Sequence, residues 1–175
     1  STVGVQGEIS DPPASETAPF NPGDYYQESK MEGELLALDF FRKKGLAGVV
    51  FRPVGIYGPG DMRFKKLFKF IQDGKFRMFG SGEVLYHLTY IDDLIDGIIL
   101  VGESPGIEGE VFTLAGPKYT TLNVLVETIG KILDVKVSKR KFPVWPLWTA
   151  GLLCEIVCRP LRINPPVYRR RVDFF

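Results

Sequence analysis

A tyrosine and a lysine stand four residues apart where an amphipathic helical pattern begins. Tyr26 and Lys30 lie within DYYQESK (24–30), and on a helix that begins by Tyr26 they would share one face. An ammonium beside a phenol favours the phenolate, and its spare donors could hold the hydroxyls of a ribose or other polyol. A hydroxyl from Ser1 or Thr2 could steady an oxygen on which charge develops. These groups could move a proton to or from a substrate alcohol while a separate cofactor takes the hydride.

The pair also has a plainer interpretation. Tyr26 would flank the helix start and Lys30 would be solvated, because both residue types are common and the Tyr-x-x-x-Lys spacing alone is weak. The choice between the two interpretations depends on the elements that would position the pair.

Those elements alternate between strands and helices. The pattern predicts, in order, a strand end at 2–6, a surface loop over 7–24, a helix from about Ser29 to Lys44, a buried strand over 46–54, a turn-rich loop over 56–61, a helix over 62–75, a strand over 84–91, a helix over 92–104, a strand over 109–116, a helix over 120–134, a short strand or extended segment over 135–143 and an apolar helix over 146–161. This order favours an α/β domain. The loop after residue 54 would lie at the carboxyl end of a strand, where such sheets bind ligands.

Composition narrows the class of protein. The 175 residues are 45% hydrophobic and 25% charged, which is typical of a globular chain, and a net charge of +1 argues against a nucleic-acid partner. Cys154 and Cys158 lie in an apolar segment and predict buried thiols rather than a metal site. Nothing in the sequence requires an oxidising compartment, so we expect a cytoplasmic protein.

Five blocks in a fixed order are more specific than the pair. They are STVGVQG, a Pro- and Asp-rich loop containing ASETAPFNP, YYQESKMEGE, VVFRPVGIYGPGD and YHLTYIDDLIDG. Together they closely resemble the extended short-chain dehydrogenase/reductase family, also called the NAD-dependent epimerase/dehydratase family, from Ser1 to about Gly116. The resemblance implies the C-terminal part of a Rossmann-type, doubly wound parallel sheet. Residues 1–116 would form the catalytic half of the NAD(P)-binding domain, and residues 117–175 would form a substrate-binding helical region.

The resemblance also implies roles for individual residues. Tyr26 matches the catalytic acid/base of the family, and Lys30 matches the partner that also binds the nicotinamide ribose. Thr2 is the better match to the catalytic hydroxyl, with Ser1 as the alternative. Tyr25 has no role that the resemblance assigns.

A second set of positions follows a predicted strand. Pro53 and Val54 match backbone positions that approach the nicotinamide in this family, whereas Arg52 is expected to be structural. The Gly-rich phosphate loop of the family and its acidic ribose-reading residue are absent from this sequence. We therefore expect a fragment that lacks the dinucleotide cradle, binds NAD or NADP poorly on its own and leaves the choice between them open.

The segment before the YIDDL block argues against a nucleotide-sugar substrate. Nucleotide-sugar epimerases of the family place an arginine shortly before the YIDDL-like block, and here Tyr86 stands at the matching position, beside His87. Both are candidate substrate contacts, although a lone strand histidine is more often structural, and Arg63 or Arg77 could supply a charge from elsewhere. The resemblance implies that the paired Asp92 and Asp93 are structural, as an N-cap and a partner of the helix dipole, rather than catalytic.

The C-terminal part resembles the branch of 3β-hydroxysteroid dehydrogenase-like and dihydroflavonol reductase-like enzymes. An apolar helix with Trp145, Trp148, Leu152 and Leu153 could line a pocket for a bulky alcohol, or could simply cover the core. A basic stretch follows it and could touch an anionic membrane surface, through Arg159, Arg162 and Arg169 to Arg171.

The sequence thus predicts an NAD(P)-dependent oxidoreductase acting on a hydrophobic, sterol-like or flavonol-like secondary alcohol or ketone. Two alternatives stay open. One is a nucleotide-sugar epimerase or dehydratase using the same Ser/Thr-Tyr-Lys groups, and the other is a truncated, non-catalytic module. The expected partner is a small-molecule substrate, and the resemblance adds a homodimer formed through the helix that carries Tyr26 and Lys30.

Overall fold

The structure is a computed structural model that describes residues 1–158. After a 3₁₀ turn at Val3–Gln6 the elements are α1 (Tyr25–Lys44), β1 (Val50–Pro53), β2 (Gly55–Tyr57), α2 (Met62–Gln72), β3 (Met78–Phe79), β4 (Leu85–Tyr90), α3 (Ile91–Glu103), β5 (Val111–Leu114), β6 (Tyr119–Thr121), α4 (Leu122–Ile132), β7 (Lys141–Phe142) and α5 (Trp145–Cys158). The predicted α/β class is confirmed. The arginines proposed for membrane contact, from Arg159 onward, lie outside the described residues.

The chain forms two compact units. Unit 1 comprises residues 1–59 and 87–119, and the described part of unit 2 comprises residues 60–86 and 120–158. In unit 1, β1 pairs in parallel with β5, and β2 pairs in parallel with the second half of β4; in unit 2, β3 pairs in parallel with β7. The strand pairs thus have the parallel sense that the family resemblance implies.

The two units bury different side chains. Unit 2 contains an apolar cluster of Ile71, Met78, Leu122, Val126 and Ile129, contributed by α2, β3 and α4. In unit 1 the buried apolar residues are accompanied by buried polar ones, namely Gln6, Glu34, Arg52 and Thr89. No helix within residues 1–158 is long and apolar enough to cross a membrane.

The prediction of a strand end at 2–6 is wrong. Thr2 caps a 3₁₀ turn instead, because its Oγ1 accepts a hydrogen bond of 3.3 Å from the Gly4 amide. Gly7 then ends the turn at a φ of 64°, where a Cβ would lie against the Asn21 carbonyl oxygen. A cap and a left-handed glycine only five residues apart leave no room for extended pairing.

Helix α1 begins four residues earlier than predicted. Asp24 caps it, since its Oδ1 accepts a 2.7 Å hydrogen bond from the Gln27 amide, and so Tyr25 and Tyr26 belong to the first turn. Gly45 ends the helix with a φ of 61°, as the sequence predicts. The condition for a shared Tyr26–Lys30 face, a helix that begins by Tyr26, is therefore met.

Several other bounds differ from the sequence prediction. The buried strand over 46–54 is confined to Val50–Pro53, and only Lys141–Phe142 of the extended segment 135–143 forms a strand. The N-cap of α3 is Tyr90 and makes no side-chain hydrogen bond, so Asp92 and Asp93 do not cap the helix but lie in its first turn, where the helix dipole favours acidic groups.

Candidate active site

Tyr26 and Lys30 lie one turn apart on the exposed face of the first turns of α1. The Lys30 Nζ is 5.7 Å from the centroid of the Tyr26 ring, within cation–π range. The Tyr26 side chain is 60% exposed, so its phenol can reach a ligand without any rearrangement of the core. The structure therefore brings the two candidate residues together.

The segment that carries Thr2 lies beside the start of the same helix. A Cβ at Gly4 would be 3.3 Å from the Gln27 side chain, and the Gln27 Oε1 accepts a 2.6 Å hydrogen bond from the Gly23 amide. The Thr2 hydroxyl accepts from the Gly4 amide and keeps its own O–H as a donor. The 3₁₀ turn that Thr2 caps thus lies against Gln27, the residue that follows Tyr26.

A buried ion pair lies further along α1. The Arg52 Nε donates to the Glu34 Oε2 at 3.0 Å and the Arg52 Nη2 donates to the Glu34 Oε1 at 2.5 Å, and the side chains are 3% and 0% exposed. Burial raises the pKa of the Glu34 carboxyl, but the hydrogen bonds from Arg52 and Ser1, together with their positive charges, hold the pKa below its ordinary value. This two-point fork is the geometry in which arginine binds a carboxylate most firmly.

The same guanidinium holds the loop that precedes α1. The Arg52 Nη1 donates to the Glu16 carbonyl oxygen at 2.9 Å, and the guanidinium carbon lies 5.3 Å from the centroid of the Phe20 ring. The Glu16 carboxylate accepts a 2.8 Å hydrogen bond from the Thr113 amide of β5, and this bond lowers the pKa of Glu16. The 7–24 loop is thus fastened to β1 and β5, and the structural role expected of Arg52 includes this contact.

Sequence reasoning did not identify Glu34 or Glu16. Glu34 follows Lys30 by four residues, so it continues the face that carries Tyr26 and Lys30, and this spacing was the available signal. Its pairing with Arg52, eighteen residues away, depends on how α1 packs on β1 and has no local signature.

Pro53 and Val54 lie at the carboxyl end of β1. Pro53 is the last residue of the strand and pairs with Leu114 of β5, and the Val54 amide donates to the Leu114 carbonyl oxygen at 3.1 Å. These residues directly follow Arg52, so the ion pair links α1 to the strand end that carries the candidate cofactor contacts.

Tyr86 and His87 are neighbours on β4 with different surroundings. Tyr86 packs against the apolar cluster of unit 2, and burial raises the pKa of its phenol. The His87 Nε2 lies 2.7 Å from the Gly116 carbonyl oxygen in unit 1. Each side chain thus has a partner within its own unit.

The aromatic helix predicted near the C-terminus is α5. The exposed fractions of Trp145, Trp148 and Leu153 are 67%, 38% and 63%, so this helix presents apolar side chains on its surface.

Known proteins resemble this chain at both the sequence and the structural level. It is 28% identical over 155 residues to the mouse sterol-4-alpha-carboxylate 3-dehydrogenase, decarboxylating, covering 82% of this chain and 43% of that protein. It is 31% identical over 142 residues to an uncharacterized UDP-glucose epimerase of Bacillus subtilis, covering 79% and 45%. The crystal structure of UDP-glucuronic acid 4-epimerase from Bacillus cereus in complex with NAD matches with a TM-score of 0.72 and 30% identity over 82% of this chain and 48% of that one.

The chain thus spans less than half the length of these curated relatives. The solved neighbour confirms the Rossmann-type fold class. Residues 1–115, which include the candidate tyrosine, lysine and hydroxyl, match the NAD dependent epimerase/dehydratase family over well over half of the sequence. The chain belongs to the NAD-dependent epimerase/dehydratase family, as the five ordered sequence blocks predict.

Proposed function

We propose that the protein catalyses NAD(P)-dependent oxidoreduction at a secondary alcohol or ketone, with Tyr26 as the proton-transferring group. The observation that carries the proposal is the position of the Lys30 Nζ, 5.7 Å from the Tyr26 ring on one exposed helix face. In the oxidative direction the Tyr26 phenolate accepts the hydroxyl proton of the substrate, and in the reductive direction the phenol returns it. Lys30 stabilises the phenolate by its charge.

The donors present fit a nicotinamide cofactor. The Lys30 ammonium has three N–H donors and is exposed beside Tyr26, which suits the vicinal hydroxyls of a ribose. Pro53 ends β1, the strand that Arg52 ties to α1, and Val54 follows it directly. When bound, NAD or NADP would accept or return the hydride. The Thr2 hydroxyl, with Ser1 as the alternative, would donate to the substrate oxygen and orient it for the exchange with Tyr26.

A hydrophobic, sterol-like alcohol is the preferred substrate class. The segment before the YIDDL block carries Tyr86 where an arginine would pair with a diphosphate, and this phenol packs against apolar side chains. The exposed apolar side chains of α5 suit contact with a bulky apolar molecule. A named relative of 28% identity is a sterol dehydrogenase.

A nucleotide sugar is the second candidate substrate. A relative of 31% identity is described as a UDP-glucose epimerase, and the solved neighbour is a UDP-glucuronic acid 4-epimerase. Of the two arginines that could supply charge, Arg63 is bonded to Asp61 at 2.8 Å and Arg77 donates to the carbonyl oxygens of Gly74 and Phe76. These local bonds favour the hydrophobic alternative.

The proposed function divides between two parts of the chain. Residues 1–116 would supply the catalytic groups and residues 117–175 the substrate region. We further propose that two copies pair through α1 and that the protein makes a peripheral contact with membranes. Sedimentation of the protein alone tests the pairing, and co-sedimentation with anionic vesicles tests the membrane contact.

The experiment that tests the catalytic assignment is Tyr26→Phe in the complete protein that carries this sequence. Loss of the phenolic oxygen should lower kcat about 10²- to 10⁴-fold, the range of general acid–base catalysis, without unfolding the exposed helix face. The matched control is Tyr25→Phe, because Tyr25 is the adjacent tyrosine and is 90% exposed. Equal activity of the two variants would rule out Tyr26 as the proton-transferring group.

The substrate class is tested by following nicotinamide reduction with a 3β-hydroxysteroid and sugar epimerisation with UDP-glucuronic acid. Turnover of the steroid alone supports the preferred class, and turnover of the UDP-sugar alone replaces it with the second candidate. Activity on neither, with no binding of NADH by fluorescence, would favour a non-catalytic module.

A further inference from the structure

Helix α1 is held by a buried ion pair as well as by half-buried apolar side chains such as Leu38 and Phe41. Glu34 is the only one of its twenty residues that is buried. Large apolar side chains of the helix are exposed instead, with exposed fractions of 47% for Leu35, 69% for Leu36 and 50% for Phe40. Glu34 therefore provides the one fully buried, directional contact that constrains the rotation of α1 about its own axis.

The Arg52 fork holds that carboxylate in both position and direction. Each carboxylate oxygen of Glu34 receives its own N–H donor, at 3.0 and 2.5 Å, so the carboxylate plane is aligned with the guanidinium plane. Arg52 is itself held in the parallel pair of β1 with β5, where it stands opposite Thr113. Because Arg52 belongs to β1 and Glu34 to α1, the ion pair fixes the position of this part of the helix relative to the strand.

Because α1 is one continuous helix, a fixed position of Glu34 also constrains the positions of Tyr26 and Lys30. Tyr26, Lys30 and Glu34 are spaced four residues apart, so successive side chains are rotated by about 40° and rise about 6 Å along the axis. All three lie within roughly 80° of one another on α1. A rotation of the helix that moved Glu34 would swing Tyr26 and Lys30 by the same angle.

We propose that Glu34 and Arg52 are positioning residues that set the orientation of Tyr26 and Lys30 relative to the end of β1. The inference rests on the proposed function, since it concerns the proton transfer assigned to Tyr26. Arg52 immediately precedes Pro53 and Val54, so one ion pair fixes the candidate phenol against the candidate cofactor contacts. Misplacement of a reacting group by about 1 Å can cost about 10²-fold in rate.

The test compares kcat with stability in the complete protein, using NAD and whichever of the 3β-hydroxysteroid or UDP-glucuronic acid is turned over. Glu34→Gln should lower kcat per folded molecule about 10- to 100-fold and change the KM for that substrate less than about twofold. The matched control is Asp39→Asn, which removes a half-exposed carboxylate of the same helix and its bonds to Arg42 and Lys43. This control should leave kcat unchanged.

A double variant separates positioning from stability. Glu34→Leu with Arg52→Met replaces the ion pair by apolar side chains, which often restores or exceeds the original stability. We expect its Tm to return to within a few degrees of the parent while kcat stays at least 10-fold low. Recovery of kcat together with Tm, or an unchanged kcat in Glu34→Gln, would overturn the positioning role. If Glu34→Gln does not fold, the double variant decides alone.

A spectroscopic measurement makes the inference independent of turnover. In protein labelled with 3-fluorotyrosine, the Tyr26 resonance is identified by its loss in Tyr26→Phe. It should shift in Glu34→Gln and in the double variant, and stay in place in Asp39→Asn. A full kcat in Tyr26→Phe would refute the proposed function whatever this signal does. A large loss of kcat in Tyr26→Phe with no shift in the Glu34 variants would refute only the positioning role.

Discussion

The two compact units have different cores and opposite charge, although unit 2 also buries one carboxylate, Glu155. Unit 1 holds the buried Glu34–Arg52 ion pair and has fourteen acidic and six basic residues. The described part of unit 2 surrounds an apolar cluster and has six acidic and eleven basic residues. Directional hydrogen bonds fix orientation, whereas apolar contacts accept many side chains of similar volume. The unit that carries Tyr26 and Lys30 is the one in which a buried, directional ion pair joins helix α1 to β1.

The largest stability effect is expected from breaking the ion pair of unit 1. Arg52→Met leaves the Glu34 carboxylate buried without its partner, which typically costs about 3–5 kcal/mol of unfolding free energy. Urea unfolding at pH 7 measures the change. A loss below about 1 kcal/mol would mean that the pair does not hold α1, and the double variant Glu34→Leu with Arg52→Met serves as the control.

The same ion pair should make stability depend on pH. Although burial raises the pKa of Glu34, the hydrogen bonds and positive charges of Arg52 and Ser1 together hold it below its ordinary value. Because the folded pKa is the lower one, the stabilisation is complete above the unfolded pKa of about 4.3 and is lost as pH falls through the folded pKa. Urea unfolding between pH 3 and 6 should show this slope in the parent and a smaller one in Glu34→Gln. Equal slopes would contradict the assignment.

Breaking the apolar cluster of unit 2 should cost about 2–5 kcal/mol. Ile71 is 1% exposed, so Ile71→Ala removes buried methyl groups and leaves a cavity. Its matched control is Ile132→Ala, because Ile132 is 78% exposed and its loss should change stability by less than about 0.5 kcal/mol. Thermal unfolding measures both. A similar loss in the two variants would argue against the cluster.

A smaller change in stability is expected from removing one helix cap in each unit. Asp24 caps α1 in unit 1 with a 2.7 Å hydrogen bond, and Thr121 caps α4 in unit 2 with one of 3.3 Å. Replacement of either by alanine should cost about 1 kcal/mol in urea unfolding. Because its hydrogen bond is shorter, we expect Asp24→Ala to lose more unfolding free energy than Thr121→Ala. The opposite order would show that the length of the capping hydrogen bond does not decide the size of the effect.

The smallest effect is expected at Asp61, a half-buried carboxylate of unit 2. Hydrogen bonds from the Arg63 side chain lower the pKa of Asp61 to about 2. The folded pKa of Asp61 lies below the pKa of an aspartate in the unfolded chain, about 3.9. Any stabilisation from this contact is therefore complete above that unfolded pKa and is lost as pH falls toward 2. Carbon-13 NMR titration should place the midpoint near 2 and return it toward the ordinary value in Arg63→Gln. An unchanged midpoint in that variant would refute the cause.

The sequence predicts the elements better than the contacts between them. Helical periodicity and Gly45 locate α1, and the Tyr26–Lys30 spacing predicts their shared face. The error at residues 2–6 arises because one hydroxyl cap and one left-handed glycine override an apolar run that would otherwise suit a strand. The Glu34–Arg52 fork could not be predicted, since a through-space pair depends on the packing of a helix on a strand.

The most direct test of the catalytic account is a double-mutant cycle of Tyr26→Phe and Lys30→Met in the complete protein. Groups that act as a unit lose most of their effect when either is removed, so the double variant should have about the same kcat as Tyr26→Phe alone. If the two losses multiplied instead, Tyr26 and Lys30 would act independently, and their proximity on α1 would not explain the activity.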